Sequence, residues 1–354
     1  MEPASKAASP VMLSILEKIE AGSHLSRSEA ESTMEELLAG RCSDAEIVRL
    51  LTGVRAKGET LDELIGFATA MRRYARPVFA KAAGLPDEML VDTCGTGGDV
   101  KGTFNVSTAA AFVAAGAGAH VAKHGNRSSS SRCGSADVLE ALGVDLDVPV
   151  ERMGEAIRQI GVGFLFAPAA HTAMKHAAAA RRQVGGRTIF NLLGPLTNPV
   201  GANAQVLGVF DARVCEKMAR ALDALGCKRA FVVHGADGMD EISLSGETHV
   251  TELREGVVRS YAVAPEDFGV KRAPLEALAG GDVATNARII RDILEGEAGP
   301  SRDVVIANAA AALVAVARAA DWREGAALAA QSIDSGSAWA RLESLISFSK
   351  NTQA

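Results

Sequence analysis

The chain has 354 residues, 48% of them hydrophobic types and 4% aromatic, with a formal net charge of -6. That length buries one large core or two moderate ones, so the chain is globular, packed by Ala, Gly, Leu and Val layers rather than by aromatic rings. The negative balance excludes a global basic field for nucleic acid, so an anionic ligand must be held by local cations and oriented amides.

Met1–Pro10 lacks the apolar run of a signal peptide. The first ~80 residues read as three short helices with clear start signals. Ser26 with Glu29, Ser43 with Glu46, and Thr60 with Glu63 each have capping-box spacing. Gly40 and Gly58 stand where the first two helices stop. Leu37, Leu38, Ile47, Leu50 and Leu51 supply apolar positions at helical spacing. A linker is expected near Ala80–Leu90, dividing a helical domain (1–85) from an α/β domain (86–354). Beyond it, strand candidates at Met89–Thr93, Ala119–Ala122, Phe164–Ala167, Val206–Phe210 and Ala230–His234 alternate with helical segments. The helical segments are Ser107–Gly116, Ser135–Leu142, Thr172–Val184 and Ala212–Leu225. The stretch 172–200 can pack with either domain. Val304–Ala317 is apolar but too short to span a bilayer, and reads as a core helix. The five cysteines are odd in number, widely spaced and without CxxC, which disfavours a disulfide framework or zinc and fits the reducing cytoplasm.

Two loops carry the chemistry. Gly95-Thr96-Gly97-Gly98-Asp99 follows a strand and precedes a helix beginning near Ser107. Its glycines let successive amides face one anion, and the helix start adds a positive dipole end. Asn105, Ser107 and Thr108 at that start can cap the helix, bind phosphate or hold a cation. Lys123-His124-Gly125-Asn126-Arg127, with Ser128, Ser129, Ser130 and Ser131, adds cations and hydroxyls suited to phosphate. The bland alternatives are a glycine turn with an ordinary N-cap and a Ser-rich surface linker. His124 is a possible catalytic base, and equally a hydrogen-bonded loop residue. No GxxxxGK[ST] occurs, so the P-loop reading fails, and the first loop lacks GxGxxG spacing, so the dinucleotide reading is weak. Asp240-Glu241, after a strand and the turn Gly235–Gly238, suits Mg²⁺ bridged to phosphates. A solvated acidic turn is the competing reading.

Taken together, these motifs resemble the anthranilate phosphoribosyltransferase family. The residues that carry the resemblance are the first loop with Lys101–Thr108, the Lys123–Ser131 run, Asn191–Pro199, and His234–Ile242, in that order. The resemblance implies a nucleoside-phosphorylase-like fold: a small N-terminal helical domain plus a larger α/β domain with a central mixed sheet surrounded by helices, usually as a homodimer. It implies Mg²⁺-dependent transfer of phosphoribosyl from phosphoribosyl diphosphate to the amino group of anthranilate. By the same resemblance, Gly95, Gly98, Asp99, Thr103, Asn105, Val106, Ser107, Thr108, Lys123–Ser131 and Ser135 bind phosphoribosyl diphosphate. Gly95, Asn126 and Arg181 contact anthranilate, and Ser107, Asp240 and Glu241 contact metal. Without the resemblance, Arg181 reads as a solvated helix-face arginine beside Arg182.

The chain departs from the family at Val100, where a glycine is common, at Thr172 after His171, where a proline is usual, and at Cys133, where a hydroxyl or small residue is frequent. The Asn191–Pro199 run reads as a structural turn. Two rival functions remain. A pyrimidine-nucleoside phosphorylase would carry a KHSTGGVGD-like segment, whereas Val91-Asp92-Thr93-Cys94 stands here. A non-catalytic nucleic-acid-binding paralogue would show a basic face and eroded metal ligands. The acidic balance and the Asp240-Glu241 pair count against it.

Overall fold

The computed structural model describes residues 10–79, 89–99, 101–128 and 132–351. It divides into two compact units, Met1–Arg76 with Ala170–Thr197, and Pro77–Ala169 with Asn198–Ala354. The division falls at Arg76/Pro77, ahead of the 85/86 boundary read from sequence. The stretch 172–200 belongs, through Thr197, to the first unit. Most of the expected linker, together with Val100 and Ser129–Ser131, lies outside the described residues.

In the first unit, helices Arg27–Leu38, Asp44–Lys57 and Leu61–Tyr74 begin at Ser26, Ser43 and Thr60, and all three capping boxes form. Each such cap contributes about 1 kcal/mol. A fourth helix, Pro10–Glu20, precedes them where the sequence reading counted three. It opens on Pro10 and is held by its buried stripe of Met12, Ile15, Leu16 and Ile19, spaced for one helical face. Glu63 joins local capping to packing. Its fully buried carboxylate accepts hydrogen bonds from the amides of Thr60 (2.8 Å) and Leu25 (2.8 Å) and from Lys57 Nζ (2.6 Å). A buried carboxylate is tolerated only with such complete pairing. The segment from Ala170 adds a 3₁₀ turn, Thr172–Ala177, and helices Ala178–Val184 and Phe190–Leu196.

His171, ahead of that turn, makes this unit acid-sensitive. Burial pulls its imidazole down to about 4 from the ordinary 6.5, against a hydrogen bond with the Thr197 backbone. A depressed histidine leaves the unfolded chain binding the extra proton. Its contribution is therefore complete above pH 6.5 and is lost as pH falls toward 4, about 3 kcal/mol in all. Denaturant titrations between pH 7 and 4 should show a shallower stability loss for His171→Gln than for the parent chain. Equal slopes would refute this.

The second unit is built on one seven-stranded sheet. Its strands are β1 (Leu90–Gly95), β2 (His120–Gly125), β3 (Val162–Phe166), β4 (Ala204–Gly208), β5 (Arg229–Gly235), β6 (Thr248–Arg254) and β7 (Val257–Val263). The order is β3-β2-β1-β4-β5-β6-β7, with the first five parallel, β6 antiparallel to β5 and β7 antiparallel to β6. This is the expected mixed sheet. The β6–β7 hairpin, which the sequence reading did not pick out, turns through Glu255 and Gly256 at φ 48° and 79°, as the twist of a tight hairpin demands. Helices Val106–Gly116 and Pro300–Ala315 pack on each other and against β1 and β4. Every residue from Val304 to Ala315 is buried, so small side chains form this core as the composition suggests. No described helix is long and apolar enough to cross a membrane.

Candidate active site

Strand order reverses between β1 and β4. The chain steps from β1 through β2 to β3 on one side, then returns to β4 and β5 on the other. Ligands of open α/β sheets bind outside the carboxyl ends of the strands at such a switch. The loops after β1 and β5 and the start of helix Val106–Gly116 converge there.

The first loop leaves β1 at Gly95. Thr96 N is anchored on Gly208 O (2.9 Å), and Gly97 and Gly98 take φ of 64° and 82°. That left-handed pair turns successive amides toward one side. Gly97 N donates to Asp240 Oδ2 at 3.0 Å. Farther along, Gly280 N donates to Gly102 O (2.8 Å), and Thr103 forms a bridge with Ala279. Asn105 does not cap the helix with its side chain. Its amide is stretched between Cys133 O (3.1 Å) and Asn286 (3.1 Å), which fixes the loop against the start of helix Ser135–Leu142. Ser107 N, an N-terminal helix amide, donates instead to Glu241 Oε1 at 3.2 Å. A carboxylate is favoured at this dipole end.

Asp240 and Glu241 reach the switch because two glycines make room. A Cβ on Gly208 would stand 1.5 Å from Asp240 O, and one on Gly95 would stand 2.8 Å from Asp240 Oδ2. Asp237 shapes the turn before them, accepting from Met239 N (3.0 Å) and from the hydroxyls of Ser243 and Ser245 (both 2.6 Å). Burial, then the neighbouring Asp99 carboxylate, pushes Asp240 well above the ordinary carboxylate range. Burial, then Asp240, does the same to Glu241. Crowded acids of this kind favour a cation between them or a proton on one. Asp99 Oδ2 and Thr108 Oγ1 are buried and lack a hydrogen-bond partner among the described residues. A divalent ion would meet the first need, and a ligand's phosphate group the second. Hard oxygen donors of this type fit Mg²⁺.

The second loop differs from its reading as a loop. β2 runs on to Gly125, so Lys123 and His124 are strand residues, only 3% and 7% exposed. The extension arises because β2 pairs with β3 at Lys123↔Phe164, His124↔Leu165 and Gly125↔Phe166; toward β1 the ladder stops at Val91↔Val121 and side chains bridge the strands beyond. Asp92 Oδ1 accepts from His124 N (3.0 Å), and Asp92 Oδ2 from Asn198 Nδ2 (2.9 Å), which also donates to Ala122 O (2.8 Å). Lys123 Nζ donates to Thr93 O and to Ser107 Oγ (3.3 Å). Burial raises Asp92 to about 6 and lowers Lys123, each opposed by the other's charge. Asn198, from the run read as structural, thus helps floor the site. Lys123 stands beneath Ser107, within its hydroxyl's reach.

Arg127 forks onto Glu140 (2.8 and 3.0 Å) and Asp137 (3.0 Å) and is 46% exposed on its side chain. Its charge is engaged by helix Ser135–Leu142. Asp137 also accepts from the amides of Ser128 (3.0 Å) and Gly134 (2.9 Å), and Ser135 Oγ lies 3.3 Å from Asn126 O. Both ends of the Ser-rich run are therefore pinned, while Ser129–Ser131 lie outside the described residues. Arg181 belongs to the helical unit, in Ala178–Val184, with its guanidinium over the Phe190 ring at 4.8 Å. Burial lowers its pKa, a cost an anionic partner offsets.

Residues that the sequence reading missed are Asp92, Asn198, Gly208 and Asp237. Asp92 and Asp237 stood inside quoted motifs, and Asn198 in the Asn-Pro turn. Gly208 carried no local signal, because its role depends on what register places beside it.

Residues 87–339 match the glycosyl transferase family a/b domain, and residues 13–75 its helical bundle domain. The chain is 54% identical over 336 residues to an anthranilate phosphoribosyltransferase of Pelotomaculum thermopropionicum, covering 95% of this chain and 96% of that one. It is 51% identical over 333 residues to one of Moorella thermoacetica, covering 94% and 97%. The fold is similar to the anthranilate phosphoribosyltransferase of Thermus thermophilus, with TM-score 0.88 and 47% identity over 95% of this chain and 99% of that one. It is also similar to the Saccharomyces cerevisiae enzyme solved in complex with PRPP and Mg, with TM-score 0.87 and 29% identity over 97% and 99%. With the paired carboxylates, glycine loop and helix start assembled at one switch point, the chain belongs to the anthranilate phosphoribosyltransferase family.

Proposed function

We propose that the chain transfers the phosphoribosyl group of phosphoribosyl diphosphate to the amino group of anthranilate, giving N-(5-phosphoribosyl)anthranilate and diphosphate. The observation that carries this reading is the convergence of Gly97 N, Ser107 N, Asp240 and Glu241 at the β1/β4 switch. Amides for an oxyanion and carboxylates for its counter-ion meet there. Relatives of about half identity over nearly the whole chain bear the enzyme's name.

In this reading Ser107, Asp240 and Glu241 hold Mg²⁺. When bound, the ion supplies positive charge to the departing diphosphate. The Gly95–Asp99 loop, Thr103, Asn105, Val106, Thr108 and the 123–131 run with Ser135 hold the sugar diphosphate. The loop amides and helix dipole stabilise the negative charge that grows as the C1′–O bond breaks. Gly95, Asn126 and Arg181 take anthranilate, Arg181 by pairing with its carboxylate. The neutral aniline nitrogen needs no strong base, so positioning supplies much of the acceleration and the proton leaves late, to solvent. The reading also makes the enzyme a cytoplasmic homodimer in tryptophan biosynthesis.

Loss of anthranilate fluorescence, requiring both phosphoribosyl diphosphate and Mg²⁺, tests the proposal. No loss with the full set of reactants refutes it.

A further inference from the structure

The apolar helix Pro300–Ala315 carries one buried amide side chain, Asn308, 2% exposed and flanked by Ala307, Ala309 and Ala310. An amide there costs free energy unless fully bonded. Asn308 Oδ1 accepts from Ile242 N at 3.0 Å, and Nδ2 donates to Ile242 O at 3.0 Å and to Val304 O at 2.9 Å. Both backbone groups of one residue are thus gripped by one side chain, as in a strand pairing. Ile242 directly follows Glu241. Its N–H belongs to the peptide unit leaving Glu241, so the grip fixes the orientation of that unit. On the other side, Asp240 O is packed on Gly208, and Asp237 ties the turn to Ser243 and Ser245. Glu241 is held between two fixed backbone points, while its carboxylate must meet Ser107 N.

We propose that Asn308 is a positioning residue for the acidic pair, acting through the Ile242 backbone to aim Glu241 at the metal–diphosphate site. This rests on the proposed function. Packing alone does not explain Asn308, since a leucine would fill similar space but leave the buried Ile242 N–H and C=O without the side chain that bonds them. Groups that orient metal ligands from behind typically change metal affinity by about 10–100-fold when removed.

The test uses the full chain with Mn²⁺ as probe, titrated by electron paramagnetic resonance with phosphoribosyl diphosphate present, alongside steady-state kinetics. Asn308→Leu should weaken Mn²⁺ binding and raise the half-saturating Mg²⁺ concentration by about 10-fold or more, with KM for anthranilate unchanged. Leu313→Ala, a cavity in the same helix, should lower the melting temperature and leave the metal requirement alone. Asn308→Leu binding Mn²⁺ as tightly as the parent, or Leu313→Ala weakening it equally, would overturn the proposal. Hydrogen exchange on the unmodified chain needs no variant to fold. The Ile242 amide should be protected like core helix amides, and exchange at the rate of an exposed loop would also overturn it. A parent chain that binds no Mn²⁺ with phosphoribosyl diphosphate counts against the proposed function instead, because protection of Ile242 would stand regardless.

Discussion

Asp240→Asn combined with Glu241→Gln should lower kcat/KM for phosphoribosyl diphosphate by about 10³-fold, more than His124→Ala, which should stay within about tenfold. The substitutions keep the shape of the turn and remove its charge. Burial already pushes both carboxyls upward, helped by the Asp99 charge at Asp240 and by the Asp240 charge at Glu241, so a bound cation would keep them ionised and useful near neutral pH. His124 stands differently. It is a buried strand residue whose amide is committed to Asp92, and the aniline nucleophile needs no base to create it. Rates across a Mg²⁺ titration for the two variants decide the matter. Abolished turnover in His124→Ala with near-parental turnover in the double variant would make base catalysis, not charge stabilisation, the source of the rate.

Gly208→Ala should reduce kcat/KM by about 10²-fold and destabilise the chain by about 1–3 kcal/mol. The added Cβ would lie 1.5 Å from Asp240 O and 2.5 Å from Asp240 C. These are backbone atoms, which cannot swing aside as a flexible side chain can. The turn must lift off β4, taking Asp240 from Gly97 N and Glu241 from Ser107 N. Gly246→Ala is the matched control, with nothing within 4 Å of its Cβ position, and should be neutral. Thermal melts separate the two effects, and an active, stable Gly208→Ala enzyme would refute this account of the turn.

Legibility in the sequence followed the range of the forces involved. The three capping boxes were readable because a cap joins residues three apart, and all three form as spaced. Helix Ser135–Leu142 was read to the residue. Helix Pro10–Glu20 is less legible because it has no capping-box spacing, only Pro10 at its start and an apolar stripe. Lys123 and His124 were read as loop because their motif is polar, yet β2 carries them. Asp92 accepts from the His124 amide and is itself held by Asn198, both from segments distant in sequence, which no local pattern foretells.

The four motifs, their order and the acidic pair were enough to place the chain in its family and to name phosphate and metal as ligands. Local chemistry determines that much: glycines free the backbone, hydroxyls and amides bind oxyanions, and carboxylates bind hard cations. The tertiary structure decided which partner each group meets. Lys123 is buried against Ser107, Arg127 pairs with Glu140, and Asn308 grips the residue after Glu241. These assignments depend on strand register and helix packing, which bring segments distant in sequence, such as those of Asp92 and Asn198 or Ile242 and Asn308, within hydrogen-bonding reach.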